Sequence, residues 1–184
     1  KQLTKIAFKD LKRLDRLISD IASSSRLEVE LAKGEFEEID IRDVLKSVVE
    51  VTKTNISKKL EINVRLNIPK DEIKVLGIGD RIAQVFYNLV DNALSFSKPG
   101  SSIEINAWTT RNEAIIEVKD QGPGIPKENL GRIFERFYTY RPEEKSFGNN
   151  SGLGLSICKQ IIKSLNGTII ATNRAEGGAT FTIM

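Results

Sequence analysis

The chain has 184 residues, of which 40% are hydrophobic and 29% charged, a composition typical of a globular domain with a real core. The net charge of +3 is too small to favour nucleic acid or a polybasic membrane contact. The one cysteine, Cys158, excludes an internal disulfide and favours a reducing compartment. The absence of histidine excludes histidine-based catalysis and histidine-ligated metals within the chain. It begins without Met, inside a predicted helix, and has no apolar run of about 18 residues, so we expect a non-spanning fragment of a longer protein.

Residues 1–31 predict one long helix. Leu11, Leu14, Ile18 and Ile21 follow the 3-4-3 spacing of a coiled-coil seam, with charged residues around them. A lone helix of this length is only marginally stable in water, so the seam predicts a partner helix. The alternative interpretation is a surface helix that packs on its own domain.

After Gly34 the hydrophobic period changes several times. Strict alternation predicts strands, and a 3.6-residue period predicts an amphipathic helix. The predicted elements are an edge strand at 35–41, a helix at 42–59, and strands at 60–68 and 73–78.

The next helix, over residues 80–96, has an unusual polar stripe. We expect Asp80 to be its N-cap. Gln84, Asn88 and Asn92 recur every four residues beside a strongly apolar face, although Asn is a mediocre helix former. Such a stripe alone is more often a solvated flank. Amide oxygens nevertheless suit Mg²⁺, which also binds substrate phosphates.

The second half of the chain predicts a hairpin, a long irregular segment, a helix and two further strands. The predicted elements are strands 101–110 and 113–120, a helix at 151–167, and strands 168–173 and 179–184 around the turn 174–178. We therefore expect an α+β fold, a two-layer α/β sandwich with one mixed sheet and helices on one face.

Two glycine signatures bracket the irregular segment. In Asp120-Gln-Gly122-Pro-Gly124, a carboxylate leaves a strand and enters a chain that can approach a ligand closely. Gly152-Leu-Gly154 opens a helix, where backbone N–H groups favour an anion. Each signature alone is more often an ordinary turn. Together with the amide stripe, and in this order, they predict a nucleotide site.

Four segments resemble the sequence boxes of sensor histidine kinases, whose ATP-binding domain belongs to the group that includes gyrase B, Hsp90 and MutL. "NLVDNALSFS" resembles the N box, "DQGPGIP" the first glycine box, "IFERFY" the F box and "SGLGLSICKQI" the second glycine box. "RLDRLISDIASSSRLE" resembles the second helix of the dimerisation and phosphoacceptor hairpin. The resemblance implies a five-stranded mixed sheet with three helices over residues 32–184, preceded by the hairpin helix 1–31, with an ATP lid at 125–151.

The resemblance also implies site residues, by position. Asn92 corresponds to the Mg²⁺ ligand, and Asn88 to its neighbour that helps to hold the hydrated metal. Asp120 corresponds to the carboxylate that accepts a hydrogen bond from the adenine amino group. Gly122 and Gly124 let the base and sugar lie close to the backbone.

Further implied contacts come from the lid and the segments that follow it. Phe134 and Phe137 are expected as the apolar pins of the lid, which we expect to be mobile. Backbone at Gly152, Leu153 and Gly154 is expected to follow the phosphates. The remaining implied nucleotide contacts are Tyr138, Arg141 and Thr180, the last with its hydroxyl near the adenine.

The sequence departs from the family pattern at several positions. Ser95-Phe96 stands where the family often has Lys-Tyr, and Thr139 stands where an Arg is common, with Arg141 two residues later. These departures leave open a non-catalytic nucleotide-binding pseudokinase or switch module.

The resemblance implies a protein-histidine kinase that lacks its own acceptor. ATP and Mg²⁺ are the implied cofactors, and the γ-phosphoryl group passes to a histidine outside this chain, then to an aspartate of a response-regulator receiver domain. A parent protein anchored in the membrane is expected to dimerise through its hairpin helices, with this fragment in the cytoplasm and in contact with neither membrane nor nucleic acid. ATP-hydrolysing relatives carry Glu where Asn88 stands, and a neutral amide cannot take a proton from water. Asn88 therefore favours transfer over hydrolysis.

Overall fold

The structure is a computed structural model that describes residues 36–55, 61–111, 113–140 and 152–184, together with four isolated helical positions. Those positions are Leu11, Ile18, Ala22 and Val29. Leu11 and Ile18 of the predicted seam are each 67% exposed. The other two seam positions, 14 and 21, lie outside the described residues.

The described elements follow one another in the order that the alternating and helical patterns predict. The strands are β1 (Glu37–Asp40), β2 (Asn63–Asn67), β3 (Lys74–Gly77), β4 (Ser102–Thr109), β5 (Ala114–Lys119), β6 (Ile169–Asn173) and β7 (Ala179–Ile183), and the helices are α1 (Ile41–Asn55), α2 (Gly79–Phe96) and α3 (Gly154–Ser164), with a 3₁₀ helix at Lys127–Asn129. None of the helices described is both long and apolar enough to cross a membrane.

The main sheet has five strands in the order β2-β4-β5-β7-β6. β2 and β4 are parallel, and the other neighbours are antiparallel. The helices pack on one face, where alternate residues such as Ile103, Ile105 and Val118 are buried. The predicted mixed five-stranded sheet with three helices on one face is confirmed, as is the predicted hairpin of β4 and β5.

The predicted apolar face of α2 lies in the core between the sheet and α3. Its buried residues are Ile82, Val85, Phe86, Leu89, Val90 and Ala93. The beginning of α2 differs from prediction. The helix starts at Gly79, the cap position is the extended Ile78, and no side chain caps it. Asp80 lies in the first turn, where its negative charge interacts favourably with the positive end of the helix dipole.

A second, two-stranded antiparallel sheet pairs β1 with β3. The sequence predicts both strands but not this pairing, because alternation reports which face of a strand is buried and not which strand lies beside it. Ile39 pairs with Val75, and both pack against the core.

Asp40 joins this small sheet to the first helix. Its Oδ1 accepts the backbone N–H groups of Arg42 (3.0 Å) and Ile73 (3.2 Å), so Asp40 caps the start of α1. The Arg42 guanidinium donates to both carboxylate oxygens, at 2.6 Å from Nη2 to Oδ2, and also to the Lys70 carbonyl. These bonds, above all those from the Arg42 side chain, hold the pKa of Asp40 well below its usual range.

Asp40→Asn should lower the melting temperature at pH 7, because an amide retains the cap but loses the ion pair. Each kcal/mol lost corresponds to about 2–4 °C for a chain of this size. Since the folded pKa is depressed, the stabilisation is present above the unfolded pKa of about 3.9 and is lost as the pH falls below it. The difference between parent and variant should therefore narrow below about pH 4. Asp43→Asn is the matched control, because Asp43 is exposed and, among the described residues, its side chain hydrogen-bonds the exposed Lys46 one turn away on α1. Equal effects of the two substitutions would contradict the role of Asp40.

Candidate nucleotide-binding site

The flank of α2 contacts both glycine signatures. Asn88 donates from Nδ2 to the carbonyl of Gly154 at the entrance of α3 (3.3 Å). Two turns later, a Cβ on Gly122 would lie 3.0 Å from the Phe96 carbonyl oxygen, so the loop after β5 lies against the end of α2. Asn92 is half-buried between these two contacts, and no described residue hydrogen-bonds its side chain. The two glycine segments are therefore attached to one helix face, about 12 Å apart along the axis at 1.5 Å per residue.

Gln84, the third amide of the stripe, has a different environment. Its Oε1 accepts a hydrogen bond from Arg81 Nη1 (2.8 Å) in the first turn of α2. The stripe therefore divides into Gln84, which pairs with Arg81 near the start of the helix, and two amides, Asn88 and Asn92, between the glycine segments.

Asp120 is a buried carboxylate with two differently used oxygens. Only 4% of the residue is exposed. Oδ1 accepts the backbone N–H groups of Gly122 (2.8 Å) and Ala179 (3.1 Å). Oδ2 accepts no hydrogen bond from the described residues, and it is not among their buried atoms without a partner, so solvent reaches it. One oxygen fixes the carboxylate and the other is available to a ligand.

Burial raises the pKa of Asp120, and the two backbone hydrogen bonds and the positive charge of Arg174 oppose that rise. The Arg174 Nη1 donates to the backbone carbonyl of Asp120 (3.0 Å). The protein therefore compensates the cost of a buried carboxylate with fixed donors and one cation.

The entrance of α3 is a tight connection around a buried anchor. The Leu153 side chain lies in the core, and its carbonyl accepts bonds from Ile157 N (2.9 Å) and Ser156 Oγ (2.8 Å). Gly152 has φ +74°, and a Cβ there would lie 2.8 Å from the Phe137 carbonyl carbon. Glycine is therefore required at Gly152 both by its backbone angle and by the neighbouring chain.

The aromatic residues of the predicted lid have unequal environments. The Phe134 ring packs edge-on against Phe181 at 6.4 Å and 88°, with Lys159 Nζ 5.8 Å from its centroid. Tyr138 is partly buried under the Arg132 guanidinium, 4.9 Å from the ring centroid. Phe134 thus packs against the core, and its role as an apolar pin of the lid stays a prediction.

Phe137 is not a pin in this structure. It is 59% exposed and has φ +65°, and its backbone N–H donates to the Gly152 carbonyl (3.0 Å). The resemblance of "IFERFY" to the F box does not reveal this exposure, because a residue with positive φ turns its side chain away from the direction expected for an ordinary backbone. The described lid residues are 125–140; Arg141 and the rest of the predicted lid lie outside the described residues.

Thr180 is also placed differently from the expectation. It pairs with Lys119, whereas Ala179 is the residue that exchanges hydrogen bonds with Asp120. Since side chains alternate along a strand, Thr180 shares the helix-free face with Lys119, and Phe181 lies on the core face. Its hydroxyl is therefore not beside the Asp120 carboxylate.

The turn between β6 and β7 contributes residues that the sequence analysis missed. Asn173 and Arg174 hydrogen-bond the loop after β5, and Gly178 packs directly on the Asp120 carbonyl. The pair Gly177-Gly178 was interpreted only as a turn, although consecutive glycines also indicate a close backbone approach.

Residues 77–184 match the family described as "Histidine kinase-, DNA gyrase B-, and HSP90-like ATPase". The chain belongs to this family. The sensor protein ChvG of Agrobacterium fabrum is 40% identical over 193 aligned residues, which include 99% of this chain and 32% of that protein. The chain thus spans about a third of the length of this curated relative.

Solved histidine kinase structures have the same fold as this ATPase domain. The nucleotide-free catalytic domain of histidine kinase ThkA has a TM-score of 0.71 at 29% identity, covering 81% of this chain and 95% of that one. ThkA in complex with the response regulator TrrA has a TM-score of 0.76 at 26% identity, covering 100% of this chain and 50% of that one. The fold is that of a histidine kinase catalytic domain.

Gly178→Ala should disturb the candidate site of this ATPase domain far more than Gly177→Ala. Both residues have φ +93°, so an added side chain strains the backbone equally at the two positions. A Cβ on Gly178 would lie 2.1 Å from the Asp120 carbonyl oxygen, whereas no atom of the described residues lies within 4 Å of one on Gly177. Gly177→Ala should cost about 1–2 kcal/mol of unfolding free energy, measured by denaturant titration, and Gly178→Ala clearly more. Equal losses would mean that the turn does not press on Asp120.

Proposed function

We propose that this chain is the ATP-binding catalytic region of a sensor histidine kinase, which transfers the γ-phosphoryl group of ATP to a histidine outside the chain. The observation that carries the proposal is the α2 flank, which holds two amides between the Asp120 loop and the entrance of α3. This arrangement offers a hydrogen-bond acceptor at one end and neutral oxygens beside a helix N-terminus at the other. An extended nucleoside triphosphate needs an acceptor for its base at one end and groups that bind its phosphates at the other.

At the base end, the Asp120 carboxylate is the proposed adenine recognition group. Its Oδ1 is already held by two N–H donors, so Oδ2 is the oxygen that accepts the exocyclic amino group. A buried carboxylate accepts such a bond in a low-dielectric environment, where electrostatic discrimination is strong. A Cβ on Gly122 would lie 2.9 Å from Asp120 Oδ1 and 3.0 Å from the Phe96 carbonyl oxygen, so glycine lets the loop backbone lie between the carboxylate and the end of α2.

At the phosphate end, the residues present fit a Mg²⁺-nucleotide complex. The described residues contain no cluster of three acidic, cysteine or histidine side chains that would hold a metal by themselves. Asn92 has no hydrogen-bond partner among the described residues, and Asn88 donates through Nδ2, which leaves its Oδ1 to accept or to ligate. Neutral amide oxygens that share an ion with phosphates and water are typical of Mg²⁺ sites. A Mg²⁺ ion held there by Asn88 and Asn92 would supply neutralisation of phosphate charge.

The role of this chain in the reaction is to position the phosphates of ATP and to avoid promoting attack by water. Backbone N–H groups at the start of α3 are expected to bind the phosphates, and Asn88 and Asn92 orient them. In the transfer, an imidazole nitrogen forms a bond to the γ-phosphorus, the bond to the β–γ bridging oxygen breaks, and ADP leaves. Asn88 cannot deprotonate water, so hydrolysis is not promoted.

The proposed partners follow from the proposed reaction. The chain has no histidine, so the acceptor is supplied by another segment or chain. The complex of the structural neighbour ThkA with a response regulator supports a receiver domain as the next phosphate acceptor. We further propose that the parent protein is a membrane-anchored homodimer with this region in the cytoplasm.

Asp120→Asn should weaken ATP binding on the order of 30- to 100-fold without unfolding the domain. The two backbone donors at Oδ1 require an acceptor, so the amide must turn its NH₂ toward the adenine amino group. Two donors then face each other. Asp91→Asn, an exposed change on α2, is the control and should bind as the parent does. Calorimetry that gave equal affinities for parent and Asp120→Asn would make the adenine assignment wrong.

Asn92→Ala should remove the Mg²⁺ dependence of nucleotide binding. In the parent, EDTA should lower ATP affinity, whereas in the variant the affinities with Mg²⁺ and with EDTA should nearly coincide. Asn106→Ala is the matched amide control, because Asn106 pairs with Asn67 across β4 and β2. If EDTA had no effect on the parent, the metal site would be refuted.

Mixed with a separate hairpin fragment that carries the acceptor histidine, the chain should transfer the γ-phosphoryl group to that fragment. Alone, it should bind ATP and remain unphosphorylated. The product should be acid-labile and base-stable, as a phosphoramidate is, and a hairpin with His replaced by Gln should stay unlabelled. A chain that begins at Gly34 removes competition from residues 1–33.

Two other outcomes would favour the alternatives. Brisk ATP hydrolysis without an acceptor, or an acid-stable phosphate on this chain, would indicate a hydrolase. Nucleotide binding without transfer would indicate a non-catalytic module, with Ser95 and Thr139 as the first residues to replace.

A further inference from the structure

The turn between β6 and β7 is hydrogen-bonded to the loop that follows β5. Arg174 lies at the start of this turn, and its side chain is only 13% exposed. Its Nη1 donates to the Asp120 carbonyl (3.0 Å), while Nε and Nη2 donate to Glu176 Oε1 (3.1 and 2.5 Å). Glu176 thus fixes the orientation of the Arg174 guanidinium, and the guanidinium fixes the Asp120 backbone through the hydrogen bond to its carbonyl.

Asn173 makes a second attachment, five residues further along the loop. Its Oδ1 accepts the Ile125 backbone N–H (2.7 Å), and its Nδ2 donates to the Ile125 carbonyl (2.6 Å). The amide therefore pairs with Ile125 as a neighbouring strand residue does. A Cβ on Gly124 would lie 2.9 Å from the same Oδ1, so the loop backbone lies directly against this side chain.

The two attachments lie at the two ends of the proposed base-recognition loop. Between Asp120 and Ile125 the chain has two glycines and makes no regular secondary structure. Such a segment has many accessible backbone conformations, and fixing them costs about 1–2 kcal/mol per residue. Bonds at both ends of the loop remove much of that freedom before any ligand arrives.

We propose that Asn173 and Arg174 are positioning residues, which fix the loop 120–125 so that the free oxygen of Asp120 selects adenine over 6-oxopurines. This inference rests on the proposed nucleotide-binding function and adds to it the residues that set its base specificity. A hydrogen bond weakens steeply as its angle falls, so a carboxylate on an unrestrained loop discriminates poorly. Asp120 touches the base, whereas Asn173 and Arg174 act through the loop backbone.

The test compares the affinities for ATP and for inosine triphosphate, which differ at the 6-position of the purine. The variants are Asn173→Ala and Arg174→Gln, with Arg174→Lys as the conservative change that retains the charge and one donor. Matched controls are Asn67→Ala and Arg65→Gln, because both residues lie on β2, the edge strand opposite β6. Calorimetry gives each affinity, and the melting temperature without nucleotide reports on folding.

The parent should prefer ATP. Asn173→Ala and Arg174→Gln should each weaken ATP binding about tenfold. That is the effect expected when the hydrogen bond between Asp120 Oδ2 and the adenine amino group is lost. Inosine triphosphate should weaken by a clearly smaller factor, since it shares the cost of ordering the loop but never had the contact with Oδ2. The ratio of the two affinities should therefore fall, while Arg174→Lys and both controls retain it.

Three results would overturn the inference. If the variants weakened both nucleotides equally, with a lowered melting temperature, the turn would be only structural. If neither nucleotide changed, the loop would hold its geometry without the turn. A parent that bound ATP and inosine triphosphate equally would refute adenine selection by Asp120, and the inference with it. A parent that bound neither nucleotide would instead refute the proposed function itself.

Discussion

Burial of one face of α2 fixes the rest of the site. Its six buried residues, centred on Phe86 and Leu89, pack between the sheet and α3, and each large apolar side chain contributes about 1.5–3 kcal/mol on burial. A helix turns about 100° per residue, so this packing also fixes its rotation about its axis. Once that rotation is set, Asn88 and Asn92 have no freedom to face elsewhere. The amides thus need no polar network of their own to be oriented, because the hydrophobic core orients them.

The sheet provides the opposite wall of the site through Asp120. The pairing of β5 with β7 ends where Ala179 and Asp120 exchange backbone and side-chain hydrogen bonds. A carboxylate at this point would be costly to bury without these donors. Both donors bind Oδ1, so Oδ2 is left without a donor. The same two hydrogen bonds therefore offset the cost of burying the carboxylate and leave one oxygen available as an acceptor. The helix layer and the sheet layer meet where Gly122 lies against Phe96.

The features that local patterns control were predictable, and those that depend on distant neighbours were not. The apolar face of α2, the β4–β5 hairpin and the glycine segments all follow from spacing and residue type within one segment. The pairing of β1 with β3 joins strands separated by α1 and β2, so alternation in either strand carries no information about it. The direction of Thr180 depends on which residue of β7 pairs with Asp120, and a one-residue change of register reverses every side chain. The exposure of Phe137 was likewise not predictable, because its positive φ and its contact with Gly152, fifteen residues away, are not visible in the sequence of its own segment.

The hydrogen bonds that hold the site together join side chains to the backbone. The carbonyls of Gly154, Asp120 and Ile125 accept bonds, and the N–H groups of Gly122 and Ala179 donate them. Only a few side chains, among them Asn88, Asp120, Asn173 and Arg174, supply the complementary groups. A site of this kind tolerates replacement at most positions, provided that the chain path and those few side chains remain. Substitutions with large effects on the site will therefore be concentrated where a side chain binds backbone, or where a glycine admits a neighbouring carbonyl.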